Sequence, residues 1–401
     1  MAVTLYQRTN GGITEINLGR FAFRYPHNAQ ALVEMFEQRR SIIKELVRLI
    51  RPGVTVPFIR VETENLQAYQ LVIAAHHAQR QDDCKQIQRA ETFLRQALAL
   101  DANFSYAWQQ LYDNIHRQVW MCNAQSTLLE EALLAAEQVD KLTPNRYHSV
   151  VQGRSVILTE TGRVFEGYAI AMAFYHQLDN KNDIDANARL AYALRYAGFL
   201  NKAQSYVEHM LDIDSLAFSN VPIDWTPNTL LYQGKYQRYL DLLANNESYY
   251  HRFYRGLALT QMGDKAAAIA LLAQSDSPSD DLFAKFNRAL HAVLTEQPQL
   301  ANHLIADISF GLHGSGNSDG EMTYKVAQLF ALAGNDKQAL FHLALAVEQG
   351  YFCVNYFLRD PIITPLKANP KFAKIISQAV TLHRQFAKRF NLEPEVLDPL
   401  Y

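Results

Sequence analysis

A chain of 401 residues, 49% hydrophobic and 19% charged, has the apolar content for an extended core. Its formal net charge of −2, with 38 Lys and Arg against 40 Asp and Glu and no long block of one sign, lacks the basic stripe on which nucleic-acid binding depends. Three cysteines, Cys84, Cys122 and Cys353, far apart and in no C-x-x-C pair, argue against a disulfide framework or a zinc site and read as small buried hydrophobes.

The N-terminal residues alternate in the manner of strands. Val3-Thr4-Leu5-Tyr6 and Ile13 to Leu18 flank Asn10-Gly11-Gly12, whose glycines suit the positive φ of a type I′ turn, so a small β-hairpin is expected. Phe21 to Tyr25 adds an extended stretch that Pro26 ends. Residues 28–50 read as one long helix, with Leu32, Met35, Phe36, Ile42, Ile43, Leu46, Leu49 and Ile50 at helical spacing, stopped by Arg51-Pro52-Gly53. A linker over 53–63 ends in Thr63, the expected N-cap of the next helix.

From Glu64 the chain reads as helix pairs: Asn65–Gln79 with Gln86–Leu100, Tyr106–Trp120 with Thr127–Lys141, a third pair from about Tyr147 to Leu178 turning at Gly162, and a fourth over about 184–213. Pro222, Trp225 and Pro227 interrupt residues 214–236, where a short or irregular helix is expected before Tyr236–Leu243. A strongly patterned pair surrounds Gly256 and Gly263. The next, roughly 280–307, has Pro298 where a turn glycine belongs. Gly311 to Gly320 reads as a flexible loop; it lacks the Gly-Lys-Ser/Thr ending of a phosphate-binding loop. No uncharged apolar run approaches the ~20 residues that cross a bilayer, and the N-terminus carries no secretory signal; a soluble, cytoplasmic chain with no membrane contact is expected.

One pattern recurs through the pairs. A small residue is followed seven positions later by Gly, five later by a small residue and four later by a bulky apolar one: Ala191, Gly198, Ala203, Val207; Gly256, Gly263, Ala268, Leu272; Ala327, Gly334, Ala339, Leu343. The central glycines, Gly162, Gly198, Gly234, Gly263 and Gly334, stand 36, 36, 29 and 71 residues apart, the last interval being two units. A period near 34 is the mark of stacked helical hairpins. The expected fold is all-α: an α-α superhelix, or solenoid, behind the N-terminal hairpin and helix.

These units resemble tetratricopeptide repeats, through Trp108 and Leu111, the Gly/Ala series, and the closures Leu100-Asp101-Ala102-Asn103 and Leu142-Thr143-Pro144-Asn145. Ala339 to Tyr351, Leu358-Arg359-Asp360-Pro361, Leu366, Asn369-Pro370 and Phe372 resemble the closing segment of bacterial tetratricopeptide arrays, which implies a cap over the last apolar face. Thr63 to Tyr69, followed by the array, is similar to the C-terminal sensory region of CadC-type winged-helix regulators, where a TolB-like sheet precedes the repeats; the chain as written carries neither their winged-helix region nor their transmembrane helix. The implied organisation is 1–60, hairpin and long helix as a remnant of a TolB-like domain; 61–350, the repeat array; and 351–401, a capping segment and helix.

No reacting centre is legible. His76-His77 are adjacent and point to different helix faces, no His-Glu-x-x-His or Gly-x-Ser-x-Gly occurs, and Asp82-Asp83 and Asp280-Asp281 read as helix starts. No catalytic residue, cofactor or metal is expected. In tetratricopeptide arrays the first helix of each pair lines the concave groove. The repeat phase then gives the groove Tyr106, Gln109, Asp113, His116 and Arg117, Tyr192, Arg195 and Tyr196, and Tyr250 and Phe253. Tyr and Arg are favoured in binding hot spots, so this aromatic and basic set points to a protein or peptide partner and a non-enzymatic scaffold or sensor. Two alternatives stand beside it: the sensory region of a regulator without its DNA-binding domain, and a small-molecule site inside the curve.

Overall fold

The computed structural model describes residues 2–9, 12–20, 27–28, 30–38, 41, 63–79, 84–122, 124–144, 148–177, 181–213, 226–273, 281–316 and 319–395. They fall in two compact units, Met1–Gln110 and Leu111–Tyr401.

In the first unit, main-chain pairing runs antiparallel between Ala2–Thr9 (β1) and Gly12–Arg20 (β2). Asn10 and Gly11 at the turn, the side chains of both segments, the stretch 21–26, residues 42–50 of the expected long helix and the linker 51–62 lie outside the described residues, so the β-hairpin stays an expectation of the sequence. Residues 30–38 are helical (α1), and Leu32, Met35 and Phe36 pack on Tyr69, whose ring meets Phe36 edge-on at 5.9 Å. Leu66–Gln79 (α2) and Cys84–Leu100 (α3) form a hairpin, with Ala68, Val72 and Ala75 of α2 and Ile87, Ala90, Leu94 and Ala97 of α3 all buried. The N-cap of α2 is Asn65, whose Oδ1 accepts the Ala68 amide at 3.0 Å. Thr63, the expected cap, donates instead to Asp101 at 2.6 Å. It ties the helix start to the Leu-Asp-x-Asn closure, because the aspartate of that closure offers a stronger, charged acceptor.

Ser105–Cys122 (α4) runs from the first unit into the second. The second unit continues with Leu128–Leu142 (α5), His148–Glu160 (α6), Val164–Gln177 (α7), Ile184–Tyr196 (α8), Leu200–Ile213 (α9), Asn228–Tyr232 (α10), Tyr236–Leu242 (α11), Tyr249–Met262 (α12), Lys265–Leu272 (α13), Leu282–Leu294 (α14), Pro298–Gly314 (α15), Gly320–Leu332 (α16) and Asp336–Glu348 (α17). Then come Val354–Arg359 (α18), a 3₁₀ turn over Thr364–Ala368, and Pro370–Phe390 (α19). Five residues of helix at α10 match the irregularity expected there; 214–225 lie outside the described residues. The expected loop from Gly311 is corrected. Helix α15 runs on through Gly314, since Ile305, Ile308 and Leu312 keep an apolar stripe buried, and α16 begins at Gly320 under an Asp319 cap.

All five glycines of the repeat period end helices in the left-handed conformation, at φ between +75° and +84°. Each makes the same pair of bonds: the Gly198 amide to Arg195 O and the Phe199 amide to Leu194 O, the Gly334 amide to Ala331 O and the Asn335 amide to Phe330 O. These satisfy the last carbonyls of the helix, and glycine takes the conformation without a Cβ penalty. The hairpin α14–α15 repeats these bonds at Glu296, the non-glycine counterpart, with φ +59° and Gln297 and Pro298 beginning the next helix. An L side chain in this conformation costs about 1–2 kcal/mol. Glu296→Gly is therefore expected to stabilise the fold by about 1 kcal/mol, read as a higher urea midpoint, since the exposed ion pair to Lys265 contributes little.

The C-terminal segment is fastened to the α8–α9 turn. The Phe352 amide donates to Tyr196 O at 3.0 Å, Asn355 Nδ2 to Gly198 O at 2.9 Å, and His383 Nδ1 lies 2.7 Å from Ala197 O. The Glu395 carboxylate accepts the amides of Asn201 and Lys202 at 2.8 and 3.0 Å and so caps α9 from outside its own hairpin. Cys353 is free and fully buried. Cys84 and Cys122 are each disulfide-bonded, a correction to the reading of all three as buried thiols.

Candidate functional site

Of the ten groove residues, two fall in the first unit and eight in the second. Tyr106 and Gln109 belong to the first unit, where Tyr106 Oη lies 2.8 Å from His76 Nε2 with the rings stacked. In the second unit Asp113, His116 and Arg117 are half-buried, as is Tyr250, while Tyr192, Arg195, Tyr196 and Phe253 are buried. Phe253 packs on Phe286 at 4.9 Å, and Tyr250 accepts a hydrogen bond from Asn228 at 2.8 Å. His116 and the α8 tyrosines are joined through Glu160. One of its oxygens lies 3.1 Å from His116 Nε2 and the other accepts from Tyr192 Oη at 2.8 Å. Tyr192 Oη lies 3.1 Å from Tyr196 Oη, which donates to Asp319 at 2.8 Å.

This chain of bonds leads into a sealed ionic core where first helices meet. Arg195 of α8 donates to Glu321 of α16 at 2.9 Å, with the two side chains 1% and 2% exposed. Tyr232 of α10 and Tyr254 of α12 donate to the other Glu321 oxygen. One helical turn on from Glu321, Lys325 is 0% exposed. Its Nζ has no hydrogen-bond partner and lies over four tyrosine rings: Tyr232 at 4.4 Å, Tyr356 at 4.9 Å, Tyr324 at 5.2 Å and Tyr254 at 5.4 Å. The floor is Asp360, which accepts from Tyr324 and Gln328 at 2.6 Å each, from Gln261 at 2.9 Å and from the Ile362 amide at 3.0 Å.

Burial is the largest electrostatic influence throughout. It pushes Glu321 up, but Arg195 and Lys325 outweigh it and hold the carboxyl below its usual range. It raises Asp319 well above the ordinary value, with Glu160 and Glu321 adding to the rise. It brings Lys325 down to about 8, against the pull of Glu321 and Asp360. Asp113 is pushed up to about 6, again by burial, against His116, Arg189 and Arg117.

A lysine depressed from 10.5 to about 8 binds its proton less well in the fold than in the open chain. Its burden on stability is therefore fully present below pH 8 and lifts as the pH rises towards 10.5. Chemical unfolding at pH 8 and pH 10 is expected to show wild type gaining about 2 kcal/mol relative to Lys325→Met over that interval. Parallel curves for the two proteins would contradict the assignment.

Sequence phase placed Tyr192, Arg195 and Tyr196 on first helices but did not reveal their partners. Glu321, Lys325 and Asp360 were missed; the one available signal was that Lys325 stands as far ahead of Gly334 as Tyr254 does of Gly263. As whole residues, Arg195, Glu321, Lys325 and Asp360 are all at most 1% exposed. Among the described residues no group of three or more His, Cys, Asp and Glu side chains is placed to hold a metal ion, and no helix is long and apolar enough to cross a membrane.

Helical hairpins with left-handed glycine turns and converging first helices define a tetratricopeptide-like array. No family model matches the chain, and no curated protein matches it. Among solved structures the chain is similar to one in the APC/C hetero-tetramer Cut9–Hcn1, with 10% identity, TM-score 0.43, and 91% of this chain covered against 84% of that one. It is also similar to the TPR domain of P58(IPK), with 10% identity, TM-score 0.26 and coverage of 80% and 99%, and to yeast Tom70, with 12% identity, TM-score 0.25 and coverage of 81% and 88%. Likenesses this distant carry no argument about this chain, and the description of its fold rests on its own geometry.

Proposed function

We propose that this chain is a non-enzymatic helical-repeat scaffold or sensor that binds a protein or peptide within a bacterial regulatory system. Hairpins that bury one face on each neighbour leave their outer faces for recognition. The reading rests on where large apolar side chains stay exposed: Phe310 on α15 is 78% exposed and Phe341 on α17 is 58% exposed, both on second helices. They flank one contact, in which Ser309 Oγ lies 2.8 Å from His342 Nε2 and His313 stacks on His342 at 5.6 Å. An exposed aromatic on each of two second helices suits a protein partner. The near-neutral charge favours a protein over nucleic acid, and the sealed interior favours binding over turnover.

Affinity capture from the native host tests this with wild type and the double variant Phe310→Ser/Phe341→Ser. Both residues are exposed, so circular dichroism is expected to be unchanged. Wild type is expected to retain a discrete partner and the variant to lose about nine-tenths of it. Equal recovery by both proteins contradicts the reading.

A further inference from the structure

The groove between α5, α6 and α7 differs in construction from the interior. It encloses about 340 Å³ and is open on one side. Helix α5 contributes Glu130, Leu133, Leu134 and Glu137, spaced three, four and seven residues apart and so aligned in a single stripe. Leu158 of α6 and Ile170 of α7 complete an apolar floor, and Leu134 is 59% exposed.

The charges around this floor are unbalanced. Arg163 is held by both oxygens of Glu166, at 3.0 and 2.7 Å, and Arg154 is bound to Asp140 at 3.0 Å. Both basic groups of the groove are thus occupied by acids. Among the described residues, the side chains of Glu130 and Glu137 make no hydrogen bond or salt bridge. Seven residues of helix separate them, which places two carboxylates free of hydrogen bonds about 10 Å apart along α5 with the leucines between; Arg163 faces Glu130 only through space, its guanidinium being bonded to Glu166.

We propose that this groove docks an amphipathic helix of a partner protein, with leucine-like side chains on the inserted face and Lys or Arg one heptad apart on its flank. The inference rests on the scaffold reading and specifies one surface of it. Leu134 and the apolar floor beside it exclude water on docking, and the two carboxylates select the charge and axial register of the occupant.

The test uses the full chain and two synthetic helical peptides in fluorescence anisotropy at low salt. Both carry leucines at i, i+3, i+4 and i+7; one has Lys at the flanking heptad positions and the other Glu. The Lys peptide is expected to bind roughly tenfold more tightly than the Glu peptide. Glu130→Lys/Glu137→Lys is expected to reverse that order, and Leu134→Asp to abolish binding of both. All these residues lie on the surface, and an unchanged circular dichroism spectrum confirms that each variant is folded. Equal affinity for the two peptides, absence of binding, or an order unchanged by the charge reversal overturns the proposal. If the peptides fail while capture still depends on Phe310 and Phe341, the groove assignment falls and the scaffold reading stands; if that dependence is absent too, both fall.

Discussion

Glu321→Ala is expected to cost the protein about 3–5 kcal/mol, measured by urea unfolding at pH 7. The carboxylate is the counter-charge of Arg195 and, through space, of Lys325, and all three side chains are removed from water. Its loss leaves Arg195 without its bonded anion, Lys325 with Asp360 as its remaining counter-charge, and the hydroxyls of Tyr232 and Tyr254 without their acceptor. The loss of a partner, rather than the net worth of the pair, sets the size of the effect. Replacing both ends, Arg195→Met/Glu321→Met, is therefore expected to recover most of the stability, because a packed apolar pair carries no desolvation penalty. A single-variant loss below about 1 kcal/mol would mean that water reaches the pair.

Gly350→Ala is expected to be the most damaging substitution among the left-handed glycines. Gly350 has φ +85°, and a Cβ there would lie 2.7 Å from Gly162 Cα and 2.8 Å from Gly162 O. Both obstacles are backbone, so relief requires the α6–α7 turn to separate from the end of α17. The conformational cost of about 1–2 kcal/mol adds to an overpacking cost of about 1–3 kcal/mol. Gly334→Ala is the internal control, with φ +75° and nothing within 4 Å of the added carbon. It is expected to lose the conformational part alone. Equal unfolding midpoints for the two variants would show that the two turns do not touch.

The contrast between these glycines marks what the sequence could and could not say. Repeat spacing found the turns at Gly162, Gly198, Gly234, Gly263 and Gly334 because a left-handed helix end selects glycine locally. It could not foresee that Gly162 and Gly350 come into contact, since no local rule links positions so far apart in the chain. The same limit governs the interior. Helical phase put Tyr192, Arg195 and Tyr196 on first helices, but whether those faces line an open groove or close on one another depends on how each hairpin turns against the next. Glu321 was hidden for a different reason: it follows a run of glycines that reads as a loop, whereas the apolar stripe of α15 carries that helix through Gly314 and the Asp319 cap starts α16 at Gly320. Thr63 and Asn65 show the error at its smallest. Both are good caps, and the side chain with a distant charged partner gave the position to its neighbour.

The central claim is that first-helix tyrosines form a closed interior around Glu321 and Lys325. Hydroxyl-radical footprinting of the native chain, read residue by residue by mass spectrometry, tests it most directly. Tyr196, Tyr232, Tyr254, Tyr324 and Tyr356 are expected to be oxidised at least tenfold more slowly than in the urea-unfolded chain, whereas Phe310 and Phe341 are oxidised at similar rates in both. Tyrosines that react in the folded protein as fast as Phe310 does would contradict a sealed core.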